Sequence, residues 1–268
     1  MAAEPVINMY SEATTDAEVV SQAIYGTTVE QITPKDNAQA PDGWIYIKTS
    51  DDYPGWVRRD QFLPLHDHDY AGPGKHVVTV TNRAANVYRE TDVTKHAPVL
   101  VLPFETALEE TVTEGSRWIK VRLVDGKEVW VQAGDVQERA SRPLTIDETI
   151  ALAKKFLGVT YTWGGRSSFG YDCSGFTQML MRQHGVLMPR DADVQAAWSG
   201  VVAVERKDLK PGDLLFFGSS PSHITHTGMY IGNGQFIHDT THSHPMVQIS
   251  TLDDQPWTKL LVACRRPK

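Results

Sequence analysis

Cysteine is nearly missing from this chain of 268 residues, where only Cys173 and Cys264 occur. Two thiols cannot staple a disulfide scaffold, so stability must come from packing, and any important thiol is expected to be free. Long apolar runs are missing too. The longest candidates, Leu214 to Phe217 and Val99 to Leu102, are strand-sized, far from the roughly 18 residues that span a bilayer, which excludes a membrane-spanning helix. No basic cluster exceeds the pair Arg265 and Arg266, and the net charge is −7, so the electrostatic footprint of nucleic-acid binding is missing. Residues 1–140 carry 13 basic and 22 acidic side chains, whereas 141–268 carry 13 and 11. The first half repels polyanions and suits a cationic ligand. The opening Met-Ala-Ala-Glu-Pro has neither the basic start nor the apolar core of a secretory signal. The chain as it stands is therefore expected in the cytoplasm, or in the periplasm or outside if a leader has been trimmed.

What is present is ordinary globular composition, 41% hydrophobic and 22% charged with 20 Gly and 15 Pro, so the chain is expected to fold. Its length suggests about two domains, or more if some are small β modules. The first half contains a repeat: Trp44-Ile-Tyr-Ile-Lys followed by Gly55-Trp56-Val57 recurs as Trp118-Ile-Lys-Val-Arg followed by Val129-Trp130-Val131, with both Trp pairs 12 residues apart. Alternating apolar and polar residues, then a turn rich in Asp, Gly or Pro, then a second strand, predict a hairpin with one buried face in each copy. Two small β-barrels are expected, and the pattern resembles bacterial SH3-like (SH3b) modules. Breaker-rich stretches at 66–74 and 139–143 mark boundaries, giving modules over 1–70 and 71–140 and a third domain over 141–268. His66 and His68 form an HxH pair, but with no further ligands nearby in sequence a solvated linker is the better reading.

After Pro143 the pattern changes. Thr145 as cap, Glu148 three residues later, and Ile146, Ile150, Leu152, Ala153, Phe156 and Leu157 at helical spacing predict a helix. Further helices are expected over 174–184, ended by Gly185, and 191–198. Short strands then follow at 211–217, 227–231, 235–238, 246–249 and 260–264. Helices first and strands later indicate an α+β fold.

Cys173 lies where the Gly-rich loop at 164–170 gives way to the second helix. Backbone N–H groups and the positive end of the helix dipole favour thiolate there, and thiolate is the nucleophilic form. A thiolate acyl-transfer enzyme also needs a base, and histidine titrates in the useful range. His226 immediately precedes one predicted strand and His238 ends the next. Adjacent strands can bring the rings together, with His226 paired to Cys173 and His238 orienting it. His223, His242 and His244 sit in polar loops and suit surface or rim roles. A zinc site from His226, His238 and His242 or His244 is a rival reading, but neither a paired-Cys motif nor HExxH is present.

At these residues the sequence resembles the NlpC/P60 family of papain-like cysteine peptidases, through Tyr161-Thr-Trp-Gly-Gly165, Asp172-Cys-Ser-Gly175, Pro211-Gly-Asp-Leu214 and His226-Thr-Gly-Met-Tyr-Ile-Gly232. The resemblance covers about residues 144–268. With SH3b-like modules ahead of it, the chain is similar to γ-D-glutamyl-L-diamino acid endopeptidases acting on murein peptides. It implies Cys173 as nucleophile, His226 as base and His238 as third member, and no cofactor or metal. The implied substrate is a peptide with a free N-terminal L-Ala, cleaved between γ-D-glutamate and meso-diaminopimelate or lysine, and the chain is expected to be a monomer. In such relatives an acid and a tyrosine of the first module hold the substrate ammonium, for which Glu18 and Tyr53 are the candidates here. Tyr161 is a candidate oxyanion donor, and Asp172, Ser174 and Asp191 are candidates to position substrate polar groups. The family's Arg-Asp-Ser pattern departs at Ala192. Trp163 and Trp198 could line the groove or pack in the core, and Cys264 is expected to be inert. The alternative is a cell-wall binding protein with a vestigial catalytic domain.

Overall fold

The computed structural model of the chain describes residues 1–34, 39–64, 70–114 and 117–268. His66 and His68 lie outside the described residues. Two compact units emerge, Met1–Ser141 with Ser167–Phe169, and Arg142–Arg166 with Gly170–Lys268. Among the described residues, no helix is long and apolar enough to cross a membrane.

The first unit is all β. Strands β1 (Val6–Tyr10), β2 (Val19–Ile24), β3 (Glu30–Gln31), β4 (Trp44–Lys48) and β5 (Pro54–Arg58) form a sheet ordered β2-β1-β5-β4-β3. Strands β6 (Val77–Val80), β7 (Ala84–Tyr88), β8 (Leu100–Pro103), β9 (Ala107–Glu114), β10 (Trp118–Arg122), β11 (Glu128–Gln132) and β12 (Val136–Glu138) form another, ordered β12-β6-β9-β10-β11-β7-β8. Alternation along each strand turns Ile7, Met9, Ile45, Ile47 and Val57 into one core, and Val78, Val80, Val87, Leu102, Leu108, Val121 and Val131 into the other.

The sequence repeat is a repeat of structure. Ile45 faces Val57 and Tyr46 faces Trp56 across β4 and β5, as Ile119 faces Val131 and Lys120 faces Trp130 across β10 and β11. In each hairpin the first Trp meets a Tyr ring edge-on, Trp44 with Tyr10 at 5.8 Å and Trp118 with Tyr88 at 5.6 Å. Such edge-to-face pairs add to the stabilisation from area burial alone.

The second unit begins with α1 (Ile146–Lys155), whose start carries the expected capping box: Glu148 N donates to Thr145 Oγ1, and Thr145 N donates to Glu148 Oε2. Arg142 forks onto the same carboxylate at 2.7 and 2.8 Å. A two-stranded ribbon, β13 (Arg166–Ser167) and β14 (Gly170–Tyr171), precedes α2 (Cys173–Gln183), and α3 (Ala192–Ala197) follows. A six-stranded antiparallel sheet completes the unit. Its strands β15 (Val201–Ala203), β16 (Leu214–Ser220), β17 (His223–Gly232), β18 (Gln235–Thr240), β19 (Met246–Thr251) and β20 (Leu261–Pro267) are ordered β15-β20-β16-β17-β18-β19, and a short α4 (Trp257–Leu260) precedes the last. The whole is a mixed α and β domain, as expected. Helix α2 packs on β17 and β18 and is buried from Cys173 through Met181, a central helix rather than a surface one.

Two sequence motifs turn out to hold the scaffold. A Cβ on Gly175 would collide with the Gly165 carbonyl oxygen, and one on Gly165 with the carbonyls of Gly170 and Thr162. Glycine at both places lets the loop lie against the start of α2. Asp213 is 1% exposed and binds Arg266 of β20 through two hydrogen bonds of 2.7 Å, so Pro211-Gly-Asp213 ties β16 to the last strand.

Candidate active site

Helix α2 starts because Asp172 caps it. Its backbone is extended at φ −99 and ψ −179, and its carboxylate accepts from Gly175 N at 2.7 Å. The next residue is Cys173, 8% exposed, whose sulfur accepts from the backbone N–H groups of Ser174 and Thr227. The latter contact joins the helix N-terminus to β17 immediately beside His226.

His226 lies inside β17 rather than ahead of it, because that strand extends back to His223, with bulges along its pairing to β16. Its Nε2 shares a hydrogen bond of 2.8 Å with Nδ1 of His238 on β18. His238 is wholly buried, and its Nε2 lies 2.9 Å from Ser250 Oγ on β19. Trp257 covers the pair, its ring centroid 5.3 Å from His226 and 4.8 Å from His238, while Phe217 packs on His226 and Phe236 on His238.

Electrostatics differs from the expectation of a standing thiolate. Burial, aided by the Asp172 carboxylate, pushes the Cys173 thiol up to about 12, outweighing the Ser174 and Thr227 N–H groups and the charge of Arg190. Burial likewise pulls His226 down to about 3, with His242 adding in the same direction. His238 moves down for the same first reason, with His226 and His242 adding to it. Both shifts favour the uncharged forms, so the resting pair is neutral thiol and neutral imidazole.

Asp172 and Ser174 are committed inside the protein. Arg190, 2% exposed, binds the two Asp172 oxygens at 2.9 and 2.6 Å and Ser174 Oγ at 2.8 Å. Gln195, buried on α3, donates to the Ser174 and Pro189 carbonyls. Their geometry fixes the Cys173 turn. Tyr161 is half-buried and held between Tyr171 and Pro245. Burial raises its hydroxyl pKa first, and then the charges of Cys173, Asp172 and Asp239. Asp191 occupies the N-cap position of α3. Trp163 is 63% exposed, outside any core, whereas Trp198 is half-buried. Cys264 is buried in β20 with its thiol raised by burial.

In the first unit, Glu18 is exposed and its carbonyl accepts from Ser11 N at 2.9 Å. Ser11 and Tyr53 line one cleft of about 260 Å³ with Tyr10, Tyr46 and Val20, so Glu18 and Tyr53 belong to one neighbourhood of that module. His223, His242 and His244 are exposed, though the His242 ring reaches Trp257 at 5.4 Å. Among the described residues no trio of His, Cys, Asp or Glu is placed to hold a metal, and His226 and His238 spend a nitrogen each on one another. Ser250, Gln195 and Trp257 carried no signal in the sequence, since each acts through a register or a packing between distant segments.

A cysteine at a helix N-terminus, packed against an antiparallel sheet that presents a bonded pair of imidazoles, is the architecture of a cysteine peptidase. The NlpC/P60 family profile matches residues 158–266, and that of the bacterial dipeptidyl-peptidase SH3 domain matches residues 9–62. A γ-D-glutamyl-L-lysine dipeptidyl-peptidase of Bacillus subtilis is 33% identical over 80% of this chain and 69% of its own length. One of the same name from Bacillus cereus is 29% identical over 92% and 74%. The crystal structure of an NlpC/P60 family protein from Bacillus cereus superposes with a TM-score of 0.83, at 24% identity, over 99% of this chain and 98% of that one. The chain belongs to the NlpC/P60 family. The SH3 match covers the first of the two repeated modules.

Proposed function

We propose that this protein is a cysteine endopeptidase that hydrolyses the bond between γ-D-glutamate and a diamino acid in murein peptides with a free N-terminal L-Ala, acting as a monomer in cell-wall recycling or turnover. The observation that carries the reading is the hydrogen bond of 2.8 Å between His226 Nε2 and His238 Nδ1. It commits one nitrogen of His226 and leaves Nδ1 as the base for a thiol whose sulfur is bonded to the neighbouring Thr227 N–H.

In this mechanism the Cys173 proton moves to His226 Nδ1 as sulfur attacks the γ-carbonyl, since neither group is charged at rest. The new oxyanion accepts from the Cys173 backbone N–H and the Tyr161 hydroxyl. The imidazolium returns its proton to the departing amine of the diamino acid, leaving a thioester. Water, deprotonated by His226, then releases the dipeptide and restores the thiol. Asp172, Ser174 and Asp191 position the polar groups of the substrate, the first two from the turn that presents Cys173. Glu18 and Tyr53 bind the substrate ammonium, and the second repeat of the first unit, by its matching hairpin and Trp positions, is a second SH3b module. The relatives' names support lysine as the diamino acid, and diaminopimelate stays open.

Mass spectrometry of products from L-Ala-γ-D-Glu-L-Lys and from its meso-diaminopimelate counterpart tests the reading. Cys173→Ala is expected to lower turnover by about 10³-fold or more with unchanged folding. Intact tripeptides with the parent enzyme reject the proposal. Glu18→Ala is expected to raise KM roughly 10-fold with little change in kcat, and N-acetylation of the substrate should reproduce that loss in the parent.

A further inference from the structure

The hydrogen-bond chain that begins at His226 continues past His238. Strands β18 and β19 pair without a slip, His238 opposite Gln248 and Phe236 opposite Ser250. Ser250 therefore stands diagonally across from His238 on the same face of the sheet, a separation that side chains can bridge, and its Oγ is 2.9 Å from Nε2. His238 is 0% exposed, so an N–H on Nε2 must find its acceptor inside the protein.

The polarity of this chain decides whether His226 is a base. To take a proton on Nδ1, His226 must carry its own proton on Nε2 and donate it to His238 Nδ1. His238 then carries its proton on Nε2, facing Ser250. The reverse polarity, with the Ser250 hydroxyl donating to Nε2 and His238 Nδ1 donating to His226, leaves the His226 proton on Nδ1 and the site without a base. Ser250 keeps a partly exposed edge, so its own proton can go to water while its oxygen accepts.

We propose that Ser250 is a positioning residue that accepts a hydrogen bond from His238 Nε2 and so sets the tautomers of both imidazoles, turning the basic nitrogen of His226 to Cys173. The proposal rests on the cysteine-peptidase reading above for its consequence, but the tautomer it assigns is independent of any substrate. It also explains how a neutral imidazole can serve as third member: it has one lone pair to offer His226, and a hydroxyl that accepts from Nε2 keeps that lone pair on Nδ1.

The test compares the full-length parent with Ser250→Ala and Ser250→Thr. Imidazole ¹⁵N NMR reads the tautomers directly, and kcat and KM are measured on the L-Lys and diaminopimelate tripeptides. The parent is expected to show His238 protonated on Nε2. Ser250→Ala should move that proton to Nδ1 and lower kcat roughly 10-fold or more with KM within about twofold, and Ser250→Thr should restore both. A parent spectrum with His238 protonated on Nδ1, or a Ser250→Ala protein that keeps both tautomer and kcat, overturns the assignment. If Ser250→Ala does not fold, the parent spectrum and Ser250→Thr still decide it. If the parent cuts neither tripeptide, the proposed function fails while the NMR arm judges Ser250 on its own.

Discussion

In the first unit the buried side chains are mostly Val, Ile, Leu, Ala and Met, with Ser21, Gln22, Thr49, Thr106, Glu109, Ser167 and Ser168 as the polar exceptions among the described residues. In the second unit the buried set also includes Asp172, Ser174, Thr177, Gln178, Arg190, Gln195, Asp213, Thr227, His238 and Asp239. Buried polar groups are costly unless paired, and half of these, Asp172, Ser174, Thr177, Arg190 and Gln195, are paired with one another around the turn that bears Cys173. Both units have an apolar core, and the second adds buried polar bonds that fix atoms in place, as acyl transfer requires.

Three substitutions probe that contrast. Arg190→Met leaves Asp172 as an uncompensated buried charge, and breaking such a pair costs about 3–5 kcal/mol. Thermal unfolding should show that loss, and hydrolysis should fall with it because the Cys173 turn loosens. Leu102→Ala, in the apolar core of the first unit, should cost about 3 kcal/mol in the same assay, with kcat unchanged at temperatures where the protein is folded. Equal damage to kcat from both would erase the distinction.

The third change is smaller. Asp239 is buried with no well-formed hydrogen bond to either carboxylate oxygen among the described residues, and burial, with the Asp172 charge adding and only the Thr240 backbone N–H opposing, pushes the group up to about 8. A raised acid contributes its stability fully below its unfolded value of about 3.8 and loses it as pH rises through about 8, at up to about 1.4 kcal/mol per pH unit. Asp239→Asn should flatten that slope and unfold at higher temperature than the parent at pH 8. His226 acts in the opposite sense: its value of about 3 against the usual 6.5 makes stability fall as pH drops from 6.5 towards 3. The acid limb of a stability profile should therefore persist in Asp239→Asn while the alkaline limb recedes.

Local chemistry made much of this legible in the sequence. The Trp hairpins, the Thr145 and Glu148 capping box and the placement of Cys173 at a helix start each depend on residues close together in the chain, and each is found in the structure. The upward shift of the Cys173 thiol was not legible, because its first cause is burial, which depends on how distant segments pack around it. Asp172 and Ser174 stand beside the nucleophile as expected, yet their hydrogen bonds go to Arg190, a partner set by the return of the chain 16 to 18 residues later. Ser250 is the extreme case, since its relation to His238 depends on the register of β19.

Trp257 stands edge-on to His238 and within 5.4 Å of His226 and His242. Imidazolium quenches indole emission far more than imidazole does, so Trp257, one of seven tryptophans in the chain, reports on these rings through the difference between the emission of the parent and that of Trp257→Phe. Light emitted at the indole wavelength dims whenever a proton arrives on the neighbouring rings, and a stopped-flow trace can follow that arrival without any added dye.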